Sequence, residues 1–149
     1  MRRLSEVAGT KVMSKTSAQR LGKLERALVD ASLRRVVALQ VGRGELVDWE
    51  AVSGLGADAV VVEHEDRVRP AADAREERAL AGELDWKGKR VLSDRGNEIG
   101  TVTDVEFDEH SGALHAVHTT EGRVAADRLH ALGSYCLVVR HDAGAELPG

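Results

Sequence analysis

The chain has 149 residues, of which 42% are hydrophobic, and a formal net charge of −4, a size that allows one ordinary domain or two small ones. The acidic total argues against non-specific nucleic-acid binding, which depends on cations that neutralise phosphates. No apolar run approaches the roughly 20 residues of a membrane-spanning helix, and the single cysteine, Cys136, excludes an intramolecular disulfide. We therefore expect a cytoplasmic protein without membrane insertion.

Residues 1–66 form the first copy of a unit that the sequence repeats about 78 residues later. Matched positions are Gly9 with Gly88, Val12 with Val91, Ser14 with Ser93, Gly22 with Gly100, Asp30 with Asp108, and Ala38 with Ala116. The offset falls from 79 to 77 along the unit, a drift at loops that is typical of an old duplication. Short apolar runs between turn residues predict an all-β unit whose last strand covers residues 59–63.

Residues 67–84 form a linker whose composition differs from that of both copies. Pro70 precedes and Gly82 follows a segment rich in Ala, Arg and Glu, which is how helices often begin and end. A short linker helix and a flexible tether both fit this segment.

The second copy covers residues 85–140, and residues 141–149 are predicted to be a flexible tail. Its alternation predicts strands at residues 90–92, 100–107, 113–120, 123–126 and 134–140. Residues 127–132 are predicted to form one helical turn capped by Asp127. We expect four glycines to be structural turn positions: Gly22, Gly88, Gly100 and Gly112. Because units of this size bury little surface, each copy is expected to close into a small β-barrel.

The run that begins at Gly88 carries a family resemblance. It reads Gly-Lys-Arg-Val-Leu-Ser-Asp-Arg-Gly-Asn-Glu-Ile-Gly-Thr-Val-Thr-Asp-Val-Glu-Phe-Asp, and Ser111-Gly112 and an apolar strand follow. This pattern resembles a PRC-barrel domain, closely over residues 86–139 and less closely over residues 5–63. The resemblance implies two tandem PRC-barrel-like domains, similar to the barrels of the photosynthetic reaction-centre H subunit and the RimM-type ribosome-maturation factor. In those settings the barrel serves mainly as a protein-binding module, which implies an adaptor.

Five of the six histidines follow residue 109, which raises the question of a metal site. A metal needs three or four converging ligands, whereas His115 and His118 are three apart on a predicted strand and point to opposite faces. His115 matches Val37 of the first copy, which favours a half-buried packing role. A small-ligand or metal sensor stays open as an alternative, and we predict no cofactor and no metal ligands.

Catalytic patterns are missing from the sequence. Asp104 and Glu106 share one face of the predicted 100–107 strand, and paired carboxylates can serve acid–base chemistry. A solvated strand face requires the same residues, however, and the sequence contains neither a Gly-x-Ser-x-Gly elbow nor a phosphate-cradling glycine loop. We expect no enzyme and no catalytic residue.

Charge is reversed at two pairs of matched positions, Lys15 with Asp94 and Arg26 with Asp104. If the copies pack about a pseudo-twofold axis, opposite charges on equivalent surfaces can hold them together or steer a partner. Simple divergence explains two reversals equally well.

The sequence therefore predicts a non-enzymatic protein-interaction module, and a homodimer is the expected form. Trp49 and the Arg34–Arg35 pair are candidate anchors, because Trp and Arg are frequent interface hot spots, although Trp49 fits a core position equally well. The alternative is an RNA- or ribosome-associated maturation factor. It is suggested by six cations against one anion in the first 24 residues, but the acidic total does not favour nucleic acid.

Overall fold

The fold was obtained as a computed structural model, which describes residues 1–141 of the chain. About half of these residues lie in β-strands, which form two seven-stranded sheets and confirm the all-β prediction. Among the described residues, none of the helices combines the length and the apolar character that crossing a bilayer requires. All of the predicted tail except His141 lies outside the described residues.

The elements in chain order are β1 (Arg2–Arg3), α1 (Leu4–Val7), β2 (Lys11–Ser14), β3 (Arg20–Asp30), β4 (Arg35–Val41), β5 (Glu45–Asp48), β6 (Val52–Leu55), β7 (Ala59–Val62), β8 (Val68–Arg69), α2 (Ala74–Leu80), β9 (Arg90–Ser93), β10 (Glu98–Phe107), β11 (Leu114–Thr119), β12 (Gly122–Ala125), β13 (Leu129–Leu132) and β14 (Cys136–Val139). Residues 1–141 also contain three 3₁₀ turns: Trp49–Ala51, Glu65–Arg67 and Ala126–Arg128.

The two sheets have corresponding strand orders. The first runs β6-β7-β2-β3-β4-β5-β8, and the second runs β13-β14-β9-β10-β11-β12, with β1 paired to β10 outside this path. In each sheet one parallel pair, β2 with β7 or β9 with β14, joins two antiparallel halves. The strand pairing defines two sheets and does not by itself close either one into a barrel.

The longest antiparallel ladders have the same register in both sheets. The β3–β4 ladder begins with Leu24 opposite Val41 and the β10–β11 ladder begins with Val102 opposite Thr119, 78 residues later. Each ladder is interrupted by register shifts at the same two places. Because a shift of one residue would reverse every side chain, this agreement gives the two sheets equivalent inner faces.

One hydrophobic core runs through both sheets. Its largest fully buried side chains include Leu24 and Leu46 from the first sheet and Phe107 and Leu137 from the second. Full burial of such a side chain contributes about 1.5–3 kcal/mol. The sheets therefore stabilise each other through shared apolar burial.

The prediction that Gly22 and Gly100 are turn residues is wrong. Both lie inside long strands, β3 and β10, next to register shifts in the pairing with β2 and β9. Their φ values of +146° and +127° suit a β-bulge, which bends a strand and increases its twist. Gly88 and Gly112 do lie outside the strands, with φ of +88° and +78°.

The predicted helical turn at 127–132 is wrong over most of its length. A 3₁₀ turn covers only Ala126–Arg128, and its cap is Ala125, not Asp127. The following residues form β13, which pairs with β14. Leu129 and Leu132 are both buried, so burial on a sheet outweighs the weak local preference for a helical turn.

The linker contains helix α2, so the helical alternative is the one found. The Asp73 carboxylate accepts a hydrogen bond from the Glu76 amide at 2.8 Å and caps the helix start. At the other end Gly82 takes φ of +86° and donates to the Ala79 carbonyl. Arg69 binds both Asp48 and Glu76, which ties the helix to the first sheet.

The first residues of the chain belong to the second sheet, which the sequence did not predict. In β1, Arg2 lies opposite Phe107 and Arg3 opposite Glu106. The Arg2 guanidinium also donates to the Leu55 carbonyl of the first sheet at 3.2 Å. A two-residue strand is too short to show any periodicity, so no pattern could have revealed it.

Candidate functional site

The two sheets are joined by main-chain hydrogen bonds between equivalent turns, one after β3 and one after β10. The Val36 amide donates to the Gly112 carbonyl, and the Leu114 amide donates to the Arg34 carbonyl, both at 2.8 Å. Donors and acceptors are each related by the same 78-residue offset. The junction is therefore a pseudo-twofold pair, and we refer to it as the paired turns.

A carboxylate at the start of each paired turn fixes its backbone. Asp30 accepts hydrogen bonds from the Ser32 and Leu33 amides at 2.9 and 3.0 Å, and Asp108 accepts from the Ser111 amide at 2.9 Å. Burial raises the pKa of Asp30, but these hydrogen bonds outweigh it and lower that pKa below its ordinary value. The Ser111 bond likewise lowers the pKa of Asp108. Both turns are thus held rigidly by their own side chains.

Trp49 lies inside this junction and not on the surface. Its side chain is only 8% exposed and meets Phe107 edge to face, with ring centroids 6.2 Å apart. A methyl group added to Gly112 would lie 2.8 Å from the Trp49 Nε1 atom. The core alternative for Trp49 is thus the one observed, and its indole packs the first sheet against the second.

The turn after β3 carries an exposed group of side chains, Leu33, Arg34 and Arg35, which we call the basic turn. Leu33 is 61% exposed, and both arginines are also exposed. Arg34 holds φ of +56°, a left-handed conformation that is uncommon for a non-glycine residue. No side-chain hydrogen bond or ion pair within residues 1–141 occupies either guanidinium.

Lys15 and Asp94 occupy equivalent positions but do not meet. The Lys15 amide donates to the Val62 carbonyl and the Asp94 amide to the Val139 carbonyl, both at 2.8 Å. Both side chains are exposed. The opposite charges of this pair therefore lie on separate turns. The Asp94 carboxylate also accepts a hydrogen bond from the His141 amide at 2.8 Å.

Arg26 is committed to contacts within the chain. Its guanidinium donates to Asp85 at 2.8 Å, to the Gln40 side chain at 2.6 Å and to the Leu80 carbonyl at 3.0 Å. A strand of the first sheet thereby holds the segment that leads into the second sheet.

Asp104 makes the reciprocal contact from the second sheet. It accepts hydrogen bonds from the amide and the hydroxyl of Ser5, which precedes the first sheet. Burial raises the pKa of Asp104, but the hydrogen bonds from Ser5 and from the Val105 amide, together with the charge of Arg3, outweigh it and lower that pKa. Arg26 and Asp104 thus each hold the segment that leads into the other sheet, and they do so through different partners.

The histidines do not converge. His115 is exposed, so the expected half-buried role is wrong. Its counterpart Val37 lines a cavity together with residues of α2. His118 instead contacts Glu106, with 2.6 Å between Nε2 and Oε2. Within residues 1–141, no group of three His, Cys, Asp or Glu side chains is arranged to hold a metal.

Comparison with known proteins gives one family match. Residues 85–141 match the family model described as PRC-barrel domain, and no curated protein matches the chain. The matched segment begins just before β9 and includes the whole of the second sheet except the short strand β1. The match supports PRC-barrel family membership for this part of the chain.

Proposed function

We propose that the protein is a non-enzymatic protein-interaction module made of two PRC barrels that arose by duplication. The family match covers the second sheet. The constant 78-residue offset of the long ladders and of the paired turns supports the same origin for the first sheet. As an adaptor, the protein would act in the cytoplasm and bind a protein partner. It would also bind a second copy of itself and form a homodimer.

The basic turn is the observation that carries this proposal. It places an exposed leucine and two uncommitted guanidiniums on a backbone held by Asp30 and by the Leu114 amide. Arginine is enriched among interface hot spots, and a rigid loop loses little conformational entropy on binding. The surface therefore suits a protein partner with carboxylates around a small apolar patch.

The test compares two charge-matched double variants of the tagged full-length chain. Arg34→Glu with Arg35→Glu reverses the basic turn, while Arg20→Glu with Lys23→Glu reverses two other exposed cations of β3. Captured proteins are quantified by mass spectrometry, and self-association is measured by sedimentation. We expect a defined partner set, or the dimer, to be reduced more than about tenfold by the first change only. Equal capture by all three chains would contradict the proposal.

The RNA-associated alternative makes a different demand on the same eluates. It predicts RNA and ribosomal proteins that are lost between low and moderate salt, because phosphate contacts weaken steeply with ionic strength. Of the six cations in the first 24 residues, Arg2 binds Glu109 at 3.0 Å and the Leu55 carbonyl, whereas the other five side chains are exposed. The salt dependence of the captured material therefore decides between the two functions.

A further inference from the structure

The two long strands differ at one edge. β1 pairs with Glu106 and Phe107, on the side of β10 opposite β11. The equivalent residues of β3 are Leu28 and Val29, 78 positions earlier. Among residues 1–141 no strand pairs with that edge, because β2 reaches only as far as Lys23. The first sheet therefore has an open position where the second sheet has a bound strand.

The route of the linker explains why this position is open. The segment that leads into the second sheet arrives as helix α2, and Arg26 holds its end through the Leu80 carbonyl. A cavity of about 230 Å³ remains between the helix and β3. Its apolar lining includes Leu28, Val29, Ala79 and Leu84. The helix thus covers the edge without filling the space that a strand would occupy.

The charges around the cavity favour a cation. Four carboxylates and two guanidiniums line it: Asp30, Asp73, Glu76, Asp85, Arg26 and Arg75. Asp85 is paired with Arg26, and Glu76 is paired with Arg69. Asp30 and Asp73 instead accept main-chain amides at 2.9 and 2.8 Å, and within the described residues neither forms an ion pair. Arg75 also forms no ion pair within residues 1–141, and its positive charge helps to lower the pKa of Asp30. Outside the ion pairs the cavity therefore presents two carboxylates and one guanidinium, an excess of one negative charge.

We propose that this cavity is a docking site for an extended, cationic peptide segment of a partner protein, which pairs with the Leu28–Val29 edge of β3. Two observations specify the occupant. The strand in the equivalent position of the second sheet is the dipeptide Arg2-Arg3, and the lining of the cavity carries an excess of negative charge. Strand addition supplies affinity through main-chain hydrogen bonds, and the adjoining groups select side chains. This inference rests on the proposed interaction function and gives it a second surface and a partner chemistry.

The probe is a fluorescent pentapeptide, acetyl-Val-Arg-Val-Arg-Val-amide, titrated into the full-length protein. Fluorescence anisotropy gives the affinity, and amide resonances of the ¹⁵N-labelled protein locate the site. We expect the largest shifts at Leu28, Val29 and Ala79. A peptide N-methylated at the central valine should bind at least about fivefold more weakly, because it has lost a main-chain donor.

Asparagine variants test the carboxylates without removing their structural roles. Asp30→Asn with Asp73→Asn should weaken binding roughly fivefold, since Asn still caps helices and closes turns. The matched control is Asp58→Asn with Asp108→Asn, which removes an exposed charge and the equivalent turn carboxylate of the second sheet. Binding to this control should be unchanged.

Three results would overturn the proposal. They are the absence of peptide-induced shifts at Leu28 and Val29, shifts centred on Glu106 and Phe107 through displacement of β1, and equal affinity of the N-methylated peptide. The basic-turn variants leave the cavity unchanged, so either proposal can fail while the other stands.

Discussion

The two sheets share their ladders but use the ends of β3 and β10 differently. In the second sheet the turn after β10 contains Gly112, which lies under Trp49 and belongs to the junction core. The equivalent turn of the first sheet has Arg34 in place of that glycine and carries exposed side chains. The turn of the second sheet is therefore small where it contacts Trp49, and the equivalent turn of the first sheet exposes its side chains to solvent. A single repeated architecture thus provides both a joint and a candidate binding site.

Removal of the Trp49 side chain should cause the largest loss of stability, because this side chain packs one sheet against the other. Trp49→Ala leaves a cavity between the sheets, and we expect a loss of about 3–5 kcal/mol in the free energy of unfolding. The measurement is urea denaturation of the full chain. Tyr135→Ala is the control, because Tyr135 is 72% exposed, and should cost less than about 0.5 kcal/mol. A loss below about 1 kcal/mol for Trp49→Ala would mean that the junction is not tightly packed.

Substitutions at the equivalent turn positions should act in opposite directions. Gly112→Ala forces a methyl group against Trp49 at φ of +78° and should destabilise by about 2–3 kcal/mol. Arg34→Gly relieves the left-handed conformation at φ of +56° and should change stability by less than about 1 kcal/mol, in the favourable direction. Denaturation midpoints decide this, and destabilisation of equal size by both changes would contradict the assigned roles.

Replacement of Arg26 or Asp104, which hold equivalent segments of the two sheets, should cause losses of stability of intermediate size. Arg26→Met removes donors from three acceptors, Asp85, Gln40 and the Leu80 carbonyl, and should cost about 1–3 kcal/mol. Asp104→Ala removes the acceptor of the Ser5 amide and hydroxyl and of the adjacent Val105 amide, and it should cost less because the exposed Ser5 donors can bond to water instead. Hydrogen exchange provides the second measurement. The Arg26 variant should loosen α2, and the Asp104 variant should loosen α1, so loosening of the same segment by both would contradict reciprocal anchoring.

The smallest expected effect is a difference between the β2–β3 and β9–β10 hairpins in how their stability depends on low pH. Hydrogen bonds from the Ser14 hydroxyl and its neighbours lower the pKa of Glu65 from 4.5 to about 2. Because the folded-state pKa is the lower one, this stabilisation is complete above the unfolded pKa and is lost as pH falls from about 5 to 2. In the second sheet the equivalent Ser93 hydroxyl accepts the Arg95 and Asn97 amides instead.

The check is the pH dependence of unfolding for the Glu65→Gln variant. Its stability should vary less with pH in that window than that of the unmodified chain, and the two curves should run parallel above pH 6. Parallel curves below pH 5 would show that Glu65 does not contribute to the acid sensitivity.

The sequence predicts the parts of this fold that depend on local patterns. Alternation along β10 and β11 placed both strands within two residues, and Pro70 and Gly82 bracketed α2. Features that depend on contacts between the sheets were not predictable. Nothing near Gly112 in the sequence indicates that Trp49, some 60 residues away, occupies the space above it. Likewise, no local pattern shows that Val37 lies beside α2 while its counterpart His115 is exposed.

The basic turn was found from the sequence as an arginine pair, but its rigidity was not. That rigidity comes from the Asp30 side chain and from a bond to the other sheet, which no linear pattern reveals. The cavity beside β3 escaped prediction for the same reason. Within residues 1–141 no strand pairs with Leu28 and Val29, whereas β1 pairs with the equivalent residues of β10.

Native-state hydrogen exchange of the Val36 and Leu114 amides tests whether the paired turns make the two sheets one rigid body. Each amide donates across the junction, so both should exchange as slowly as the buried strand amides of Val60 and Leu137. Such protection means that the turns open only when the whole protein unfolds. Exchange of either amide more than about a hundredfold faster than these core amides would show that the sheets separate while each stays folded. It would mean that the paired turns do not make the two sheets one rigid body.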